Sequence, residues 1–220
     1  MSALSRRPHL VSTLVVATAL LGAPAASQAA KVDFEDVGNG MSTNFSSAGF
    51  DFALHPGFGD ISVRNEQFCT PACPFDGTSS LYALYGQSSV TMSKSGGGVF
   101  DLLGFDGAGS FNVNEFGPGW LNTGFIDVVG TTAGGGTVAQ SFALDQSAPS
   151  GPLAFRSFTL DGSFVGLTSV TFSSSGPGYD YFHGFTLDNI AVSAVPEPPA
   201  SAFALAGLCV VGATLRRRRG

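Results

Sequence analysis

The sequence has 220 residues and a formal net charge of −6, and its basic residues are concentrated at the two ends. Residues 30–194 keep four basic against fifteen acidic side chains, a net charge of −11. This charge excludes a surface for nucleic acid or anionic lipid, and about 165 residues suffice for one domain with a hydrophobic core.

The N-terminal segment has the three parts of a secretory signal peptide. Arg6 and Arg7 precede an apolar stretch at 10–22, and Ser27-Gln28-Ala29 offers small residues to signal peptidase. We predict that residues 1–29 are a signal peptide and that the mature protein begins at Ala30. The domain at 30–194 is therefore expected outside the cytoplasm.

This domain shows no sustained 3.6-residue apolar period, and short apolar runs alternate with glycine clusters. The pattern predicts an all-β fold, a single β-sandwich. We expect 81–85 to pair with 89–93, and 124–132 to form a hairpin with 137–144. The predicted strands are 32–37, 50–54, 61–64, 81–85, 89–93, 99–105, 111–115, 124–132, 137–144, 155–160, 167–174 and 182–192.

The last predicted strand changes its apolar parity part of the way along. Phe185 and Leu187 share one face of an ideal strand, whereas Ile190 and Val192 share the other. The change falls at Asp188-Asn189, which predicts a β-bulge or bend there.

The order of these elements resembles the jelly-roll modules of carbohydrate-binding domains. The resemblance covers Phe34-Glu35-Asp36 early in the domain and Leu187-Asp188-Asn189-Ile190 late in it. It implies that the first and last strands lie together and hold a structural Ca²⁺, with candidate ligands Glu35, Asp36, Asp188 and Asn189. The alternative is a bend-forming Asx pair beside ordinary surface acids.

Three cysteines are present, two of them in one short loop. Cys69 and Cys73 are expected to form a disulfide, because the loop lies outside the cytoplasm. Two cysteines are too few for a structural zinc site, and their spacing is one residue longer than a redox Cys-x-x-Cys motif. Cys209 is interpreted as an apolar residue of the tail.

Signals for catalysis are few, and no catalytic residue is assigned. The domain has only His55 and His183 as histidines, and no Gly-x-Ser-x-Gly motif. The expected activity is therefore structural or carbohydrate-binding. Glu66 and Glu115 could form a glycosidase pair, so a secreted carbohydrate-active hydrolase is the alternative function. The aromatic residues suited to stacking on sugars, or to capping a core, are Tyr82, Tyr85, Trp120, Tyr179 and Tyr181.

The C-terminal segment 195–220 has three ordered parts. Val195-Pro196-Glu197-Pro198 precedes an uncharged apolar run at 200–215, which is followed by Arg216, Arg217, Arg218 and Arg219. As a helix the run would span about 24 Å, slightly less than the ~30 Å hydrocarbon core. We predict a transmembrane helix with its arginines in the cytoplasm.

This tail resembles the PEP-CTERM sorting signal of bacterial envelope proteins. The resemblance implies that exosortase, a membrane-embedded cysteine protease, recognises Pro196-Glu197-Pro198 and cuts nearby, after transient anchoring in the inner membrane. It also implies that the processed protein ends at the cell surface or in the extracellular matrix. By the same resemblance, such proteins accompany the production of exopolysaccharide and biofilm. A plain C-terminal anchor is the alternative.

The sorting hypothesis predicts the effect of Glu197→Ala. Export should continue, because the signal peptide is unchanged, but processing should fail and an uncut species should accumulate in the inner membrane. Immunoblotting of membrane and extracellular fractions from a host with exosortase measures both. Normal processing of the variant would leave the tail as a simple anchor.

Overall fold

The computed structural model describes residues 29–55, 61–65, 72–84, 89–116, 122–145, 150–176 and 183–194. These residues form thirteen β-strands and one 3₁₀ helix at Val113–Phe116. The strands are β1 (Ala29–Val32), β2 (Gly40–Ser42), β3 (Asn44–Ser47), β4 (Phe50–His55), β5 (Ile61–Arg64), β6 (Ser80–Ala83), β7 (Ser89–Lys94), β8 (Phe100–Gly109), β9 (Phe125–Thr132), β10 (Thr137–Ala143), β11 (Arg156–Thr159), β12 (Leu167–Ser175) and β13 (Phe185–Ala194).

The strands form two layers. The first sheet has the order β2-β5-β6-β13-β8-β11, with β1 also beside β13. The second sheet has the order β3-β4-β7-β12-β9-β10. One pair, Leu167 with Phe100, joins the two sheets. The predicted all-β sandwich is confirmed.

Phenylalanine side chains fill the space between the layers. Phe105 of the first sheet packs edge-to-face on Phe142 and Phe172 of the second, with ring centroids 5.2 and 5.5 Å apart. Phe50 and Phe100 make a similar contact at 5.1 Å. Such pairs add roughly 0.5–1.5 kcal/mol beyond their area burial, which accounts for the frequent phenylalanines of this sequence.

The first and last strands lie side by side, as the resemblance to jelly-roll modules implies. β1 pairs antiparallel with the C-terminal half of β13, from Ala29 opposite Ser193 to Val32 opposite Ile190. On the same side of β13 as β1, β6 pairs with the N-terminal half of the strand. β8 pairs along the other side.

The predicted irregularity at Asp188-Asn189 is confirmed as a β-bulge. Asp188 lies opposite Asp106, and the next pair joins Ala191 to Gly104. Between these two pairs β13 therefore has one residue more than β8. Asn189 has φ 51°, in the left-handed region that asparagine tolerates better than most residues. The bulge returns Ile190 to the core side, as the sequence pattern requires.

The hairpin of β9 and β10 is also confirmed, with Thr131 opposite Thr137. Three predictions are wrong. β6 and β7 do not pair with each other, because β6 joins the first sheet and β7 the second. Residues 113–116 form the 3₁₀ helix instead of a strand. Residues 33–37 lie in a turn after β1, where Phe34 enters the core with φ 60°.

In the part of the chain that the structure describes, no helix is long and apolar enough to cross a membrane. The predicted signal peptide, the Pro-Glu-Pro motif, the transmembrane helix and the arginine cluster all lie outside the described residues, so these stay predictions.

The close approach of β8 and β11 predicts the effect of Gly104→Ala. A Cβ at this position would lie 2.6 Å from the backbone oxygen of Phe158, which cannot rotate away. We expect the free energy of unfolding to fall by roughly 1–3 kcal/mol, measured by urea unfolding of the purified exported protein. Gly38→Ala is the control, because its Cβ would meet nothing within 4 Å. Equal stability of the two variants would contradict this packing.

Candidate functional site

The outer face of the second sheet is a broad array of small polar side chains. In its strands the apolar residues alternate with Ser and Thr, so the former enter the core and the latter point away from it. In β12, for example, Val170 and Phe172 are fully buried, while Ser169, Thr171 and Ser173 are half-buried on the other face. This is the pattern of a half-exposed strand, with one face in the core and the other face outside it.

Strand register aligns these side chains into three rows, which together we call the hydroxyl face. Neighbouring strands are about 4.8 Å apart, so six strands give a surface about 24 Å across. More than half of the positions carry a hydroxyl group. The rows are Ser46, Asp51, Ser93, Ser169, Thr131 and Thr137; Asn44, Ala53, Thr91, Thr171, Val129 and Ala139; and His55, Ser89, Ser173, Asp127 and Ser141.

Hydrogen bonds cross the hydroxyl face between neighbouring strands. His55 Nε2 lies 2.6 Å from Thr91 Oγ1, which lies 2.8 Å from Thr171 Oγ1. The Ser46 and Ser95 hydroxyls both donate to Asp51 Oδ1, and the Ser46 bond, then the Ser95 bond, lowers the pKa of this exposed carboxyl group. Side chains held in this way lose little further entropy when they bind a ligand.

Strand β9 adds an apolar strip to the hydroxyl face. Phe125 and Val129 are 41% and 38% exposed, and Asp127 lies between them on the same side of the strand. The Ser141 hydroxyl of β10 donates to Asp127 Oδ1. An exposed aromatic ring beside a carboxylate and hydroxyl groups offers both apolar contact and hydrogen bonds to a ligand.

The first sheet carries the acidic residues that the sequence singles out for calcium. Glu35 accepts hydrogen bonds from the Ser79 amide and hydroxyl, at 2.8 and 3.1 Å. The Thr78 hydroxyl lies 3.0 Å from Asp188 Oδ2 and 2.5 Å from Asp76 Oδ1. The turn at 76–79 therefore brings Glu35 and Asp188 to adjacent residues and adds Asp76, which the sequence analysis missed.

The other two candidate ligands have different partners. Asp36 accepts hydrogen bonds from the Ser47 hydroxyl, at 2.5 Å, and from the Ala48 amide, at 2.9 Å. The Ala48 bond, then the Ser47 bond, lowers the pKa of Asp36. Asn189 donates from Nδ2 to Asp106 Oδ2 at 2.7 Å. The structure thus brings two of the four candidates to one turn.

Asp188 is completely buried beneath this turn, and burial raises its pKa to about 7. The hydrogen bonds from the Asn189 amide and the Thr78 hydroxyl lower the pKa, the Asp76 carboxylate raises it, and the Lys31 ammonium lowers it. Burial outweighs the two hydrogen bonds because they replace only part of the lost hydration.

The oxygen donors of Glu35, Asp76 and Asp188 are the type that Ca²⁺ prefers. Each carboxylate is nevertheless engaged by Thr78, Ser79 or Asn189. No group of three or more His, Cys, Asp or Glu within the described ranges is placed to hold a metal ion. The residue types fit calcium, whereas the arrangement is that of a hydrogen-bonded turn.

Cys73 is fully buried and disulfide-bonded, but Cys69 lies outside the described residues, so the Cys69–Cys73 pairing stays a prediction. Tyr82 is not a surface for sugar, because its ring is completely buried and its hydroxyl donates to the Pro74 carbonyl. Burial, followed by the charges of Asp76 and Asp188, raises the pKa of Tyr82.

Glu115 accepts a hydrogen bond from the Gly151 amide, and His183 is buried. The possible partner of Glu115, Glu66, and the remaining aromatic candidates, Tyr85, Trp120, Tyr179 and Tyr181, lie outside the described residues. The Glu66–Glu115 pair on which the hydrolase alternative depends therefore stays a prediction.

Sequence reasoning missed most of the hydroxyl face. The alternation Ser89-x-Thr91-x-Ser93 and the run Phe125-x-Asp127-x-Val129 are local signals that could have revealed it. The rows themselves depend on register between strands that are distant in sequence, such as β4 and β7.

Comparisons with known proteins identify similar folds only. No protein-family model matches the chain, and no curated protein matches it. Solved structures with a similar fold include the CBM22-1 and GH10 modules of endo-1,4-β-D-xylanase 10B from Clostridium thermocellum, complexed with xylohexaose. That likeness has 10% identity and a TM-score of 0.41, and it covers 78% of this chain and 29% of the other.

The tandem CBM22 domains of a Paenibacillus barcinonensis protein have 12% identity and a TM-score of 0.44, over 81% of this chain and 49% of theirs. The K1 cleaved adhesin domain of Lys-gingipain from Porphyromonas gingivalis has 13% identity and a TM-score of 0.43, over 76% of this chain and 98% of that domain. This chain spans less than half the length of the first two structures.

The raised pKa of Asp188 predicts how stability depends on pH. Between the ordinary value of 3.8 and about 7, the folded protein holds a proton that the unfolded chain has lost. The Asp188 contribution to the free energy of unfolding should therefore decrease as pH rises from about 4 to about 7. Asp188→Asn should remove this contribution, as measured by urea unfolding at a series of pH values in EDTA.

Asp33→Asn is the matched control, because Asp33 lies in the turn that follows β1 and is only partly buried, whereas Asp188 is completely buried. The control should keep the pH dependence of the wild-type protein. If Asp188→Asn had the same pH dependence as the wild-type protein, Asp188 would be ionised in the folded protein throughout this pH range.

Proposed function

We propose that this protein is an exported binding protein that holds a neutral glycan on its hydroxyl face. The observation that carries the proposal is the combination, on the outer face of one sheet, of aligned Ser and Thr hydroxyls with the exposed Phe125 and Val129. Glycans present the matching chemistry, since their hydroxyl groups both donate and accept hydrogen bonds while their C–H surfaces pack on apolar side chains.

Charge favours a neutral glycan over an acidic one. Residues 30–194 have a net charge of −11, and Asp51 and Asp127 lie on the hydroxyl face itself. An acidic polysaccharide would meet carboxylates of its own sign, whereas a neutral chain can donate hydroxyl protons to them. The width of about 24 Å suits an oligosaccharide segment rather than a single ring.

The proposed place of action is the cell surface or extracellular matrix. The signal peptide would direct export, and the tail would hold the precursor in the inner membrane until exosortase cuts near Pro196-Glu197-Pro198. A glycan-binding domain delivered in this way would contact the exopolysaccharide of a biofilm. The ordered motif, apolar run and arginine cluster of the sequence support this part of the proposal.

Calcium is a further part of the proposal. Ca²⁺ would draw Glu35, Asp76 and Asp188 together and take the places of the Thr78 and Ser79 hydrogen bonds. A cation there would favour the ionised form of Asp188, so millimolar Ca²⁺ should abolish the Asp188 contribution to the pH dependence described above. Unchanged stability after Ca²⁺ addition would leave these residues as a hydrogen-bonded turn.

Glycan binding is tested by Phe125→Ala. On an array of neutral and acidic glycans, the purified exported protein should bind neutral chains, and titration calorimetry should show affinity falling about tenfold or more in the variant. The reason is the loss of the large exposed aromatic ring on the hydroxyl face.

Met41→Ala is the matched control, because Met41 is a large exposed apolar residue of the first sheet. It should bind as the wild-type protein does. Equal binding by Phe125→Ala and Met41→Ala would place any glycan site elsewhere, and binding of acidic glycans alone would contradict the charge argument.

A further inference from the structure

The outer face of the first sheet contains an open cavity of about 250 Å³, on the side of the sandwich away from the hydroxyl face. Strands β8, β11 and β13 form it. The buried core residue Phe105 and the partly buried Phe158 also line it. The side chains that the cavity offers to a ligand are Leu103, Asp106, Ser157, Thr159, Asn189 and Ala191.

Two compensating bulges create this cavity. From Asp188 to Ala191, β13 takes one residue more than β8, and from Leu102 to Gly104 β8 takes one residue more than β13. The excess residues shift the alternation of inward and outward side chains, so Leu102 and Phe105, three positions apart, are both buried, whereas Leu103 is 40% exposed. A bulge re-aims side chains in this way and bends the strand locally.

Asp106 is held in a fixed orientation in the cavity. Its Oδ2 accepts a hydrogen bond from Asn189 Nδ2 at 2.7 Å, and its Oδ1 accepts one from the Ser157 hydroxyl at 2.5 Å. Each carboxylate oxygen can accept about two hydrogen bonds, so each retains capacity for a donor from a ligand. An oriented carboxylate with two adjacent acceptor positions suits two neighbouring hydroxyl groups.

The remaining lining determines which ligands fit. Leu103 and Ala191 give an aliphatic surface, and among the described residues that line the cavity Asp106 is the one charged side chain, which disfavours anions. Its single carboxylate is too few for a metal ion. The volume of about 250 Å³ is slightly below the usual range for ligand pockets, about 300–1,000 Å³, which suits one sugar ring.

We propose that this cavity binds a single neutral sugar residue, at the end or on a branch of a glycan, through the Asp106 carboxylate. This site is separate from the hydroxyl face, because it lies on the other sheet and shares no residue with it. If both sites bind, one molecule joins two glycan chains, which goes beyond simple attachment to one chain.

The test uses ¹⁵N-labelled exported protein and monitors the side-chain amide signal of Asn189 by NMR. D-glucose, D-galactose and D-mannose are titrated separately at millimolar concentrations, with methylammonium as a cationic probe. At least one sugar should shift the Asn189 signal in a saturable manner. Asp106→Asn should weaken that sugar about tenfold or more, because it removes the charged acceptor.

Ala191→Phe is a second variant that fills the cavity and leaves the Asp106 hydrogen bonds in place, and it should also abolish the shift. Phe125→Ala on the hydroxyl face should leave the shift unchanged, which separates this site from the proposed function. The proposal is overturned if no sugar shifts the signal, if both cavity variants respond as the wild type does, or if only methylammonium binds.

Discussion

The pairing of β13 along both of its sides is the constraint on which the rest of the structure depends. β8 follows it along one side, while β6 and β1 share the other. Phe185, Leu187, Ile190 and Val192 bury their side chains in the core from this one strand. At about 1.5–3 kcal/mol for each large side chain, they stabilise the first sheet and hold the first strand against it.

The bulge at Asp188-Asn189 allows this strand to keep its apolar side chains in the core and its polar side chains on the outer side. Without the extra residue, Ile190 and Val192 would point to the outer face and the core would lose them. With it, Asp188 faces outward beneath the turn at 76–79, and Asn189 turns toward Asp106. The acidic turn therefore depends on this bulge, and the cavity depends on it together with the compensating bulge in β8.

Local patterns in the sequence were sufficient for much of the fold. The Gly-rich hairpin, the alternation in β12 and the parity change in β13 each depend on neighbours within a few residues, and all three are present. The pairing of β6 and β7 was predicted wrongly because a glycine between two apolar runs does not distinguish a hairpin from a crossing between sheets. Phe34 was also misplaced, because core packing holds it in a turn that its sequence disfavours.

The candidate sites were harder to predict, for a physical reason. Calcium candidates Glu35 and Asp188 reach adjacent residues of the turn at 76–79, beside the paired strands β1 and β13, and the resemblance to jelly-roll modules implied that the first and last strands lie together. The hydroxyl face instead requires the register of six strands, and Asp76 and Asp106 reach their partners through long-range contacts. Individual Ser, Thr or Asp residues carry no local signal of such alignment.

The position of β13 also determines how the domain would bear mechanical load. Ala194 is the last residue of a strand with neighbours on both sides, and β1 runs antiparallel beside that end. A pull on Ala194 along the strand axis acts on the flanking hydrogen bonds in shear, so many must break together rather than one after another. A domain tethered through this end would resist drag on a captured polymer better than one tethered through an edge strand.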